Sequence, residues 1–124
     1  TQMPKWQERR NEIAAIYTKD LKYDIICQNV PQELSHNFHK FVIRFEDKEQ
    51  RKRVKDGLKA IGLNANIHYE KPLSENSLYI TEHHRKDNCT NSRIASDTVM
   101  SLPIHAWLTD EEINKICNTI LMVT

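Results

Sequence analysis

Glycine is scarce in this sequence, with only Gly57 and Gly62 among 124 residues. A phosphate-binding loop needs closely spaced glycines that bring backbone N–H groups against the anion, so we expect no such loop here. Apolar runs are also short, such as the four residues 120–123, whereas about 20 are needed to span a bilayer. No secretory signal pattern opens the chain. We therefore expect a soluble, cytoplasmic protein that does not associate with membranes.

A surplus of charge of either sign is also missing, because 18 basic and 17 acidic residues leave a net charge of +1. Such a balance provides no overall field to hold a nucleic acid or an anionic membrane. The three cysteines, Cys27, Cys89 and Cys117, are an odd number without C-x-x-C spacing, which favours reduced thiols. The length suits a single domain that covers residues 1–124.

Two helix starts carry capping signals. Asp47 and Gln50 have the D-x-x-Q spacing of a capping box, and Gly62 stands where a glycine would end the helix that follows. Thr109 and Glu112 form a T-x-x-E capping box before the last helix. Both helices have an apolar face, which indicates that they pack against a core.

Apolar periodicity predicts two further helices, a long one at residues 4–21 and a short one at residues 92–98 that Asn91 or Ser92 would cap. Strand signals occur at four segments, of which the first is short: residues 24–27, 40–45, 65–69 and 99–104. The polar residues 70–91 are expected to form an irregular loop. This order predicts an α+β fold in which helices cover one face of a small sheet.

Six histidines raise the question of a metal site, and they are His36, His39, His68, His83, His84 and His105. Structural zinc sites use two to four Cys or His ligands at tight, paired spacing. Two of the histidines are three residues apart but lie outside any well-signalled helix, and two others lie near Cys89 in the polar loop. We interpret all six as scattered polar residues and expect no metal site.

A basic stripe on the second helix raises an RNA-binding alternative, and its members are Lys48, Arg51, Lys52, Arg53, Lys55 and Lys59. Acidic residues are interleaved with them, and the aromatic strand at residues 40–45 lacks the glycine of an RNA-recognition motif. A solvated helix face is the favoured interpretation. A cysteine nucleophile is a weaker alternative still, because Cys117 lies on an apolar helix face where thiols are usually inert.

His68 and Tyr69 are the most interesting polar pair, because they end the strand candidate at residues 65–69. An imidazole and a phenol can both hydrogen-bond a polar ligand near neutral pH. A surface histidine beside a half-buried tyrosine explains the same pattern equally well.

Several segments in order resemble the C-terminal part of the DegT/StrS-type sugar aminotransferases. They are His39-x-Phe41-Val42-Ile43-Arg44, then Gly62-Leu63 with Ile67-His68-Tyr69 and Pro72-Leu73, then residues 99–105 and 108–112 with Ile116. The first helix, with Arg10, Ala14 and Tyr17, resembles the helix that joins the large and small domains in that family. It corresponds to residues 1–22 here.

Members of that family are pyridoxal-phosphate enzymes of fold type I that work as homodimers and transfer an amino group to a nucleotide-linked keto sugar. A large N-terminal domain carries the cofactor and its Schiff-base lysine. The resemblance implies that this chain is the small C-terminal domain, with a mainly antiparallel sheet of about three strands. It implies further that the large domain is absent, that the chain binds no cofactor alone, and that it closes the substrate side without being catalytic by itself.

The resemblance assigns His68 and Tyr69 as substrate-binding residues facing the sugar nucleotide, and it assigns no catalytic or cofactor-binding residue to this chain. A free-standing binding or regulatory module derived from the same fold is the alternative. A domain separated from its large domain should expose an apolar patch, which we expect Trp6, Ile13 and Tyr17 to form.

The sequence departs from the family pattern near the expected substrate side. Ser74 follows Leu73 where many members have histidine, and Thr90 and Arg93 stand where many have proline and glutamate. Ala106 replaces a frequent proline. The identity of the sugar therefore does not follow from the resemblance.

Overall fold

The computed structural model describes residues 1–80 and 87–124 and gives an α+β fold, as the order of the sequence signals predicts. The elements in chain order are α1 (Met3–Leu21), β1 (Ile26–Cys27), β2 (Phe41–Arg44), α2 (Lys48–Ala60), a 3-10 helix (Leu73–Glu75), α3 (Ser77–Ile80), α4 (Thr90–Thr98), β3 (Val99–Leu102) and α5 (Asp110–Val123). Within those two ranges, no helix is both long and apolar enough to cross a membrane.

Residues named in the sequence analysis lie at both ends of α2 and at the start of α5. The Asp47 carboxylate accepts a 2.7 Å hydrogen bond from the Gln50 amide at the start of α2. Gly62 ends α2 with φ of +81°, a left-handed conformation that favours glycine. Thr109 and Glu112 form both hydrogen bonds of the capping box that begins α5. The capping box of α5 and the glycine at the end of α2 are therefore confirmed. At α2 only the Asp47 half of the predicted box forms, because the Gln50 side chain accepts from the Glu46 amide.

The start of α4 differs from the prediction. The helix begins at Thr90, after Cys89, and no side chain caps it. The prediction of a cap at Asn91 or Ser92 is wrong, because both residues already lie inside the first turn.

The sheet is antiparallel, with β2 in the centre between β1 and β3. Phe41 pairs with Leu102 and Ile43 pairs with Met100, so these four side chains share one face. That face packs on α1, α2 and α5, and the core consists of Ile13, Ala14, Tyr17, Leu21, Ile25, Phe41, Ile43, Phe45, Val54, Leu58, Ala65, Met100, Leu102, Leu108, Ile113, Ile116, Cys117 and Ile120.

Residues 65–69 do not form the predicted strand. Asn66 exchanges two backbone hydrogen bonds with Ser101, of 3.1 and 2.9 Å, and this isolated bridge is the only pairing described for the segment. Extending the bridge would require the outward backbone groups of Val99. The Val99 amide instead donates to Ala95 O, and its carbonyl accepts from Arg51. The sheet edge is therefore already occupied where the strand would continue.

The expected apolar patch on α1 is wrong for two of its three members. Ile13 and Tyr17 are fully buried in the core. Trp6 is half-buried, and its ring lies 5.4 Å from that of Trp107, centroid to centroid. Trp107, in the turn before α5, is 72% exposed. The apolar surface around Trp6 is therefore formed by the start of α1 together with this turn.

Candidate functional site

His68 and Tyr69 lie together on the surface, on the segment that follows the Asn66–Ser101 bridge. Both side chains are exposed, and Tyr69 keeps 77% of its accessible surface. The chain bends at His68 and again at residue 70, and it returns to the body of the protein at Pro72, which is buried. The two candidate residues therefore form the crest of a surface segment anchored on either side.

A short turn and the beginning of α3 follow this crest. The Glu75 amide donates to Pro72 O and the Asn76 amide donates to Leu73 O, which closes the 3-10 helix. The Glu75 carboxylate forms an ion pair with the guanidinium of Arg93 on α4. Leu73 and Leu78 are largely exposed, so apolar packing contributes little to holding the turn.

Three open grooves indent the surface elsewhere, and none of these three is lined by His68 or Tyr69. The larger two, of about 520 and 510 Å³, lie beside the C-terminal half of α1. The third, of about 370 Å³, lies between the β1–β2 edge and α4. Arg44 and Glu46 line both the first and the third groove. The predicted pair consequently offers hydrogen-bonding groups on an open surface rather than inside one of these grooves.

The histidines that the structure describes are dispersed. His36 Nε2 lies 3.1 Å from Gln28 Nε2, and His36 Nδ1 accepts a 2.9 Å hydrogen bond from the Phe38 amide. Both ring nitrogens are therefore engaged within the segment that connects β1 and β2. His105 is exposed, with its ring 6.5 Å from Trp107. No group of three or more His, Cys, Asp or Glu side chains arranged for a metal occurs in the described ranges. His83 and His84 lie outside those ranges.

The cysteine-nucleophile alternative is not supported at Cys117. Burial raises the pKa of this thiol to about 12, and burial also raises the pKa of Cys27. A thiol is nucleophilic as the thiolate, so a raised pKa makes it unreactive near neutral pH. Cys117 is a packing residue on the buried face of α5.

The RNA-binding alternative loses its stacking aromatics and one of the six residues of its basic stripe. Arg51 is only 7% exposed, and its Nη1 donates to Ser96 O at 2.5 Å and to Val99 O at 3.3 Å, so it does not belong to a solvated basic stripe. Phe41 and Phe45 are buried in the core and cannot stack on bases. Of the remaining stripe, Lys52 pairs with Asp56 at 3.2 Å.

Sequence reasoning missed the Glu75–Arg93 ion pair. Arg93 was conspicuous only as a departure from a family pattern, and Glu75 carried no signal because it lies in a polar segment without periodicity. Opposite charges 18 positions apart cannot be matched by helical or strand spacing. Only the fold brings the 3-10 helix beside α4.

The described fold is that of several solved sugar aminotransferases. The chain superposes on S. venezuelae DesV, solved with a ketimine intermediate, with a TM-score of 0.85, 22% identity and coverage of 96% of this chain and 32% of that one. Helicobacter pylori PseC, an aminotransferase involved in the biosynthesis of pseudoaminic acid, superposes with a TM-score of 0.84 and 22% identity. The match covers 98% of this chain and 33% of PseC. The apo-form of the Streptococcus pneumoniae sugar aminotransferase Spr1654 superposes with a TM-score of 0.82 and 26% identity. The match covers 98% of this chain and 31% of Spr1654.

The chain thus spans about a third of the length of these structures. Among the curated proteins, none matches its sequence significantly. The model of one protein family matches residues 1–121, nearly the whole chain. On that match, the chain belongs to the DegT/DnrJ/EryC1/StrS aminotransferase family.

Proposed function

We propose that residues 1–124 act as the small C-terminal domain of a pyridoxal-phosphate-dependent aminotransferase whose substrate is a nucleotide-linked keto sugar. The observation that carries the proposal is the extent of the similarity. Nearly all of this chain superposes on solved sugar aminotransferases, yet it accounts for only a third of each of them. In this arrangement α1 leads from a large cofactor-binding domain, and the active sites form in a homodimer in the cytoplasm.

His68 and Tyr69 are the substrate-binding residues in this proposal. Their open position suits one wall of a site whose opposite wall belongs to another domain or subunit. An exposed imidazole and phenol can hydrogen-bond to the hydroxyl or phosphate oxygens of a sugar nucleotide. One solved relative in fold, DesI, was studied with its TDP-sugar product, which makes a TDP-sugar a suitable probe here.

The cofactor fits this chain poorly as a binding partner on its own. Pyridoxal phosphate supplies the electron sink for amino transfer when bound and requires a lysine of lowered pKa beside a phosphate-binding loop. Neither glycine lies on such a loop, because Gly57 is inside α2, with the site of its missing Cβ 3.4 Å from Thr119, and Gly62 ends the same helix. The large domain is therefore the proposed carrier of the cofactor, and this chain is proposed to be inactive alone.

A free-standing binding module is the competing proposal. The exposed large side chains at and beside the candidate site, Tyr69, Leu73 and Leu78, favour a domain that packs against further protein. A free-standing module would have to keep this surface in solvent.

Borohydride reduction of the chain with pyridoxal phosphate, followed by mass spectrometry of its peptides, tests whether this chain can bind the cofactor without a large domain. We expect weak labelling scattered over many lysines, because the sequence has no glycine-rich phosphate-binding loop that would hold the cofactor beside one of them. Stoichiometric labelling of one lysine would show that this chain builds its own cofactor site and would refute the proposal.

An NMR titration with TDP-glucose tests the substrate side. We expect progressive shifts of the His68 and Tyr69 side-chain signals and loss of the response in His68→Ala. His39→Ala is the matched control, because His39 is also exposed but lies before β2. Equal responses in the two variants would contradict the assignment of His68.

A further inference from the structure

The segment that carries His68 and Tyr69 is tied to the rest of the protein at three points. Its first attachment is at its start, where Asn66 and Ser101 share a pair of backbone hydrogen bonds and Ile67 packs, partly buried, against the core. The second is Pro72, the single buried residue from position 68 to position 79. The third is the ion pair between Glu75 and Arg93. We name residues 66–75 the crest segment.

Each of these attachments fixes a different part of the crest segment. The Asn66–Ser101 bridge extends one edge of the sheet by a single pair, so it fixes only the start of the crest segment. Pro72 has no N–H, and its carbonyl accepts from Glu75 within the segment, so packing is what attaches it to the rest of the protein. The other backbone hydrogen bonds described near the far end join residues within it, such as Glu75 to Pro72 and Asn76 to Leu73. Among the contacts described for residues 66–75, the ion pair joins that end to α4.

Arg93 is well placed to serve as a fixed point. It lies in the first turns of α4, where its amide donates to Cys89 O and its carbonyl accepts from the Ser96 hydroxyl. α4 continues directly into β3, and Arg51 ties their junction to α2 through Ser96 O and Val99 O. The guanidinium of Arg93 therefore extends from a part of the fold with buried support.

We propose that Glu75 and Arg93 are positioning residues that set the orientation of His68 and Tyr69 by fixing the far end of the crest segment to α4. The significance of this pair for substrate binding rests on the proposed function. Neither residue contacts substrate in this proposal, because each acts through the backbone of the crest segment. The pair is partly exposed, with side chains 31% and 52% accessible, so its contribution is modest and sensitive to salt.

The test uses the 124-residue chain in four forms: wild type, Glu75→Gln, Arg93→Gln, and the charge-exchanged double variant E75R/R93E. Lys52→Gln is the matched control, because it breaks another exposed ion pair, with Asp56, far from the crest segment in sequence. Hydrogen exchange is measured at the amides of Glu75 and Asn76, and NMR order parameters are measured at His68 and Tyr69.

In each single variant we expect roughly twofold to fivefold faster exchange at these two amides, which is the range for an exposed ion pair. The order parameters of His68 and Tyr69 should fall, while the melting temperature stays near that of wild type. E75R/R93E should restore both values, and high salt should loosen wild type but not Glu75→Gln. Lys52→Gln should change neither.

Unchanged exchange and order in both single variants would overturn the proposal, and so would a double variant that behaves like the single ones. The TDP-glucose titration separates this outcome from failure of the proposed function. If the ion pair orders His68 and Tyr69 but wild type gives no shift with TDP-glucose, the positioning role stands and the substrate role falls. If TDP-glucose binds equally well to wild type and Glu75→Gln, the pair has no part in substrate binding, which would overturn its proposed significance.

Discussion

The hydroxyl of Tyr17, near the C-terminal end of α1, donates a 2.8 Å hydrogen bond to the carbonyl of Pro103, just after β3. The two residues are 86 positions apart, and Tyr17 is fully buried, so the bond joins the first helix to the end of the central sheet. Burial raises the pKa of this phenol, which keeps it protonated as a donor.

Tyr17→Phe should therefore destabilise the fold. The change leaves the Pro103 carbonyl without its donor while the ring remains in place, and the expected loss in the free energy of unfolding is about 1–2 kcal/mol. Urea unfolding monitored by circular dichroism measures it. Tyr23→Phe is the control, because Tyr23 is 84% exposed and should change stability little. Equal effects of the two substitutions would contradict a structural role for the bond.

Arg51→Met should destabilise the fold more strongly. The substitution keeps much of the apolar stem but removes the guanidinium that hydrogen-bonds Ser96 O and Val99 O. Because these bonds involve a charged donor at a buried position, we expect a loss of about 2–3 kcal/mol. Lys52→Gln, next along the same helix and exposed, should stay within about 0.5 kcal/mol of wild type. Wild-type stability of Arg51→Met in the same urea titration would contradict this account.

The capping box at the start of α5 should make stability depend on acidic pH. Hydrogen bonds from the backbone and then the side chain of Thr109 lower the pKa of Glu112 in the folded state. A lowered folded-state pKa contributes stability that is present above the unfolded-state pKa and is lost as the pH falls through the folded-state value.

Wild type should therefore exceed Glu112→Gln in stability at neutral pH, and the difference should shrink from about pH 5 downward. Unfolding midpoints of both proteins across this range measure it. Glu111→Gln removes the same charge from the same turn without touching the capping box, so its pH dependence should be weaker. A constant difference between wild type and Glu112→Gln would exclude the charge as its source.

Cys89 and Cys117 should react at different rates with iodoacetamide. Cys89 is exposed and should be alkylated in the native protein. Cys117 is buried with a pKa raised to about 12, so its thiolate is scarce and inaccessible, and it should react only after unfolding. Mass spectrometry of native and urea-treated samples measures both. Native alkylation of Cys117 at the rate of Cys89 would show that α5 does not pack as described.

The starts of α2 and α5 were predictable because their signals are local. Thr109 and Glu112 are three residues apart, and the same holds for Asp47 and Gln50, so each pair can satisfy the exposed amides at a helix start without help from the rest of the chain. Gly62 is equally local, because the left-handed conformation it adopts has little cost for glycine.

The strand predicted at residues 65–69 failed because strand formation depends on a partner. Its apolar and β-forming residues satisfy the compositional rule, but the backbone groups of Val99 that they needed were already bonded to Ala95 and Arg51. β1 shows the reverse case, since two residues form a strand because β2 offers them an edge.

The sequence by itself determined the starts of α2 and α5, the end of α2, the α+β order and the resemblance that led to His68 and Tyr69, since all of these depend on residues close together in the chain. Only the tertiary structure decided that Tyr17 and Ile13 are core residues, that Arg51 is buried, and that Glu75 meets Arg93. The physical reason is that burial and long-range pairing depend on which surfaces the folded chain brings together, and no local spacing encodes that.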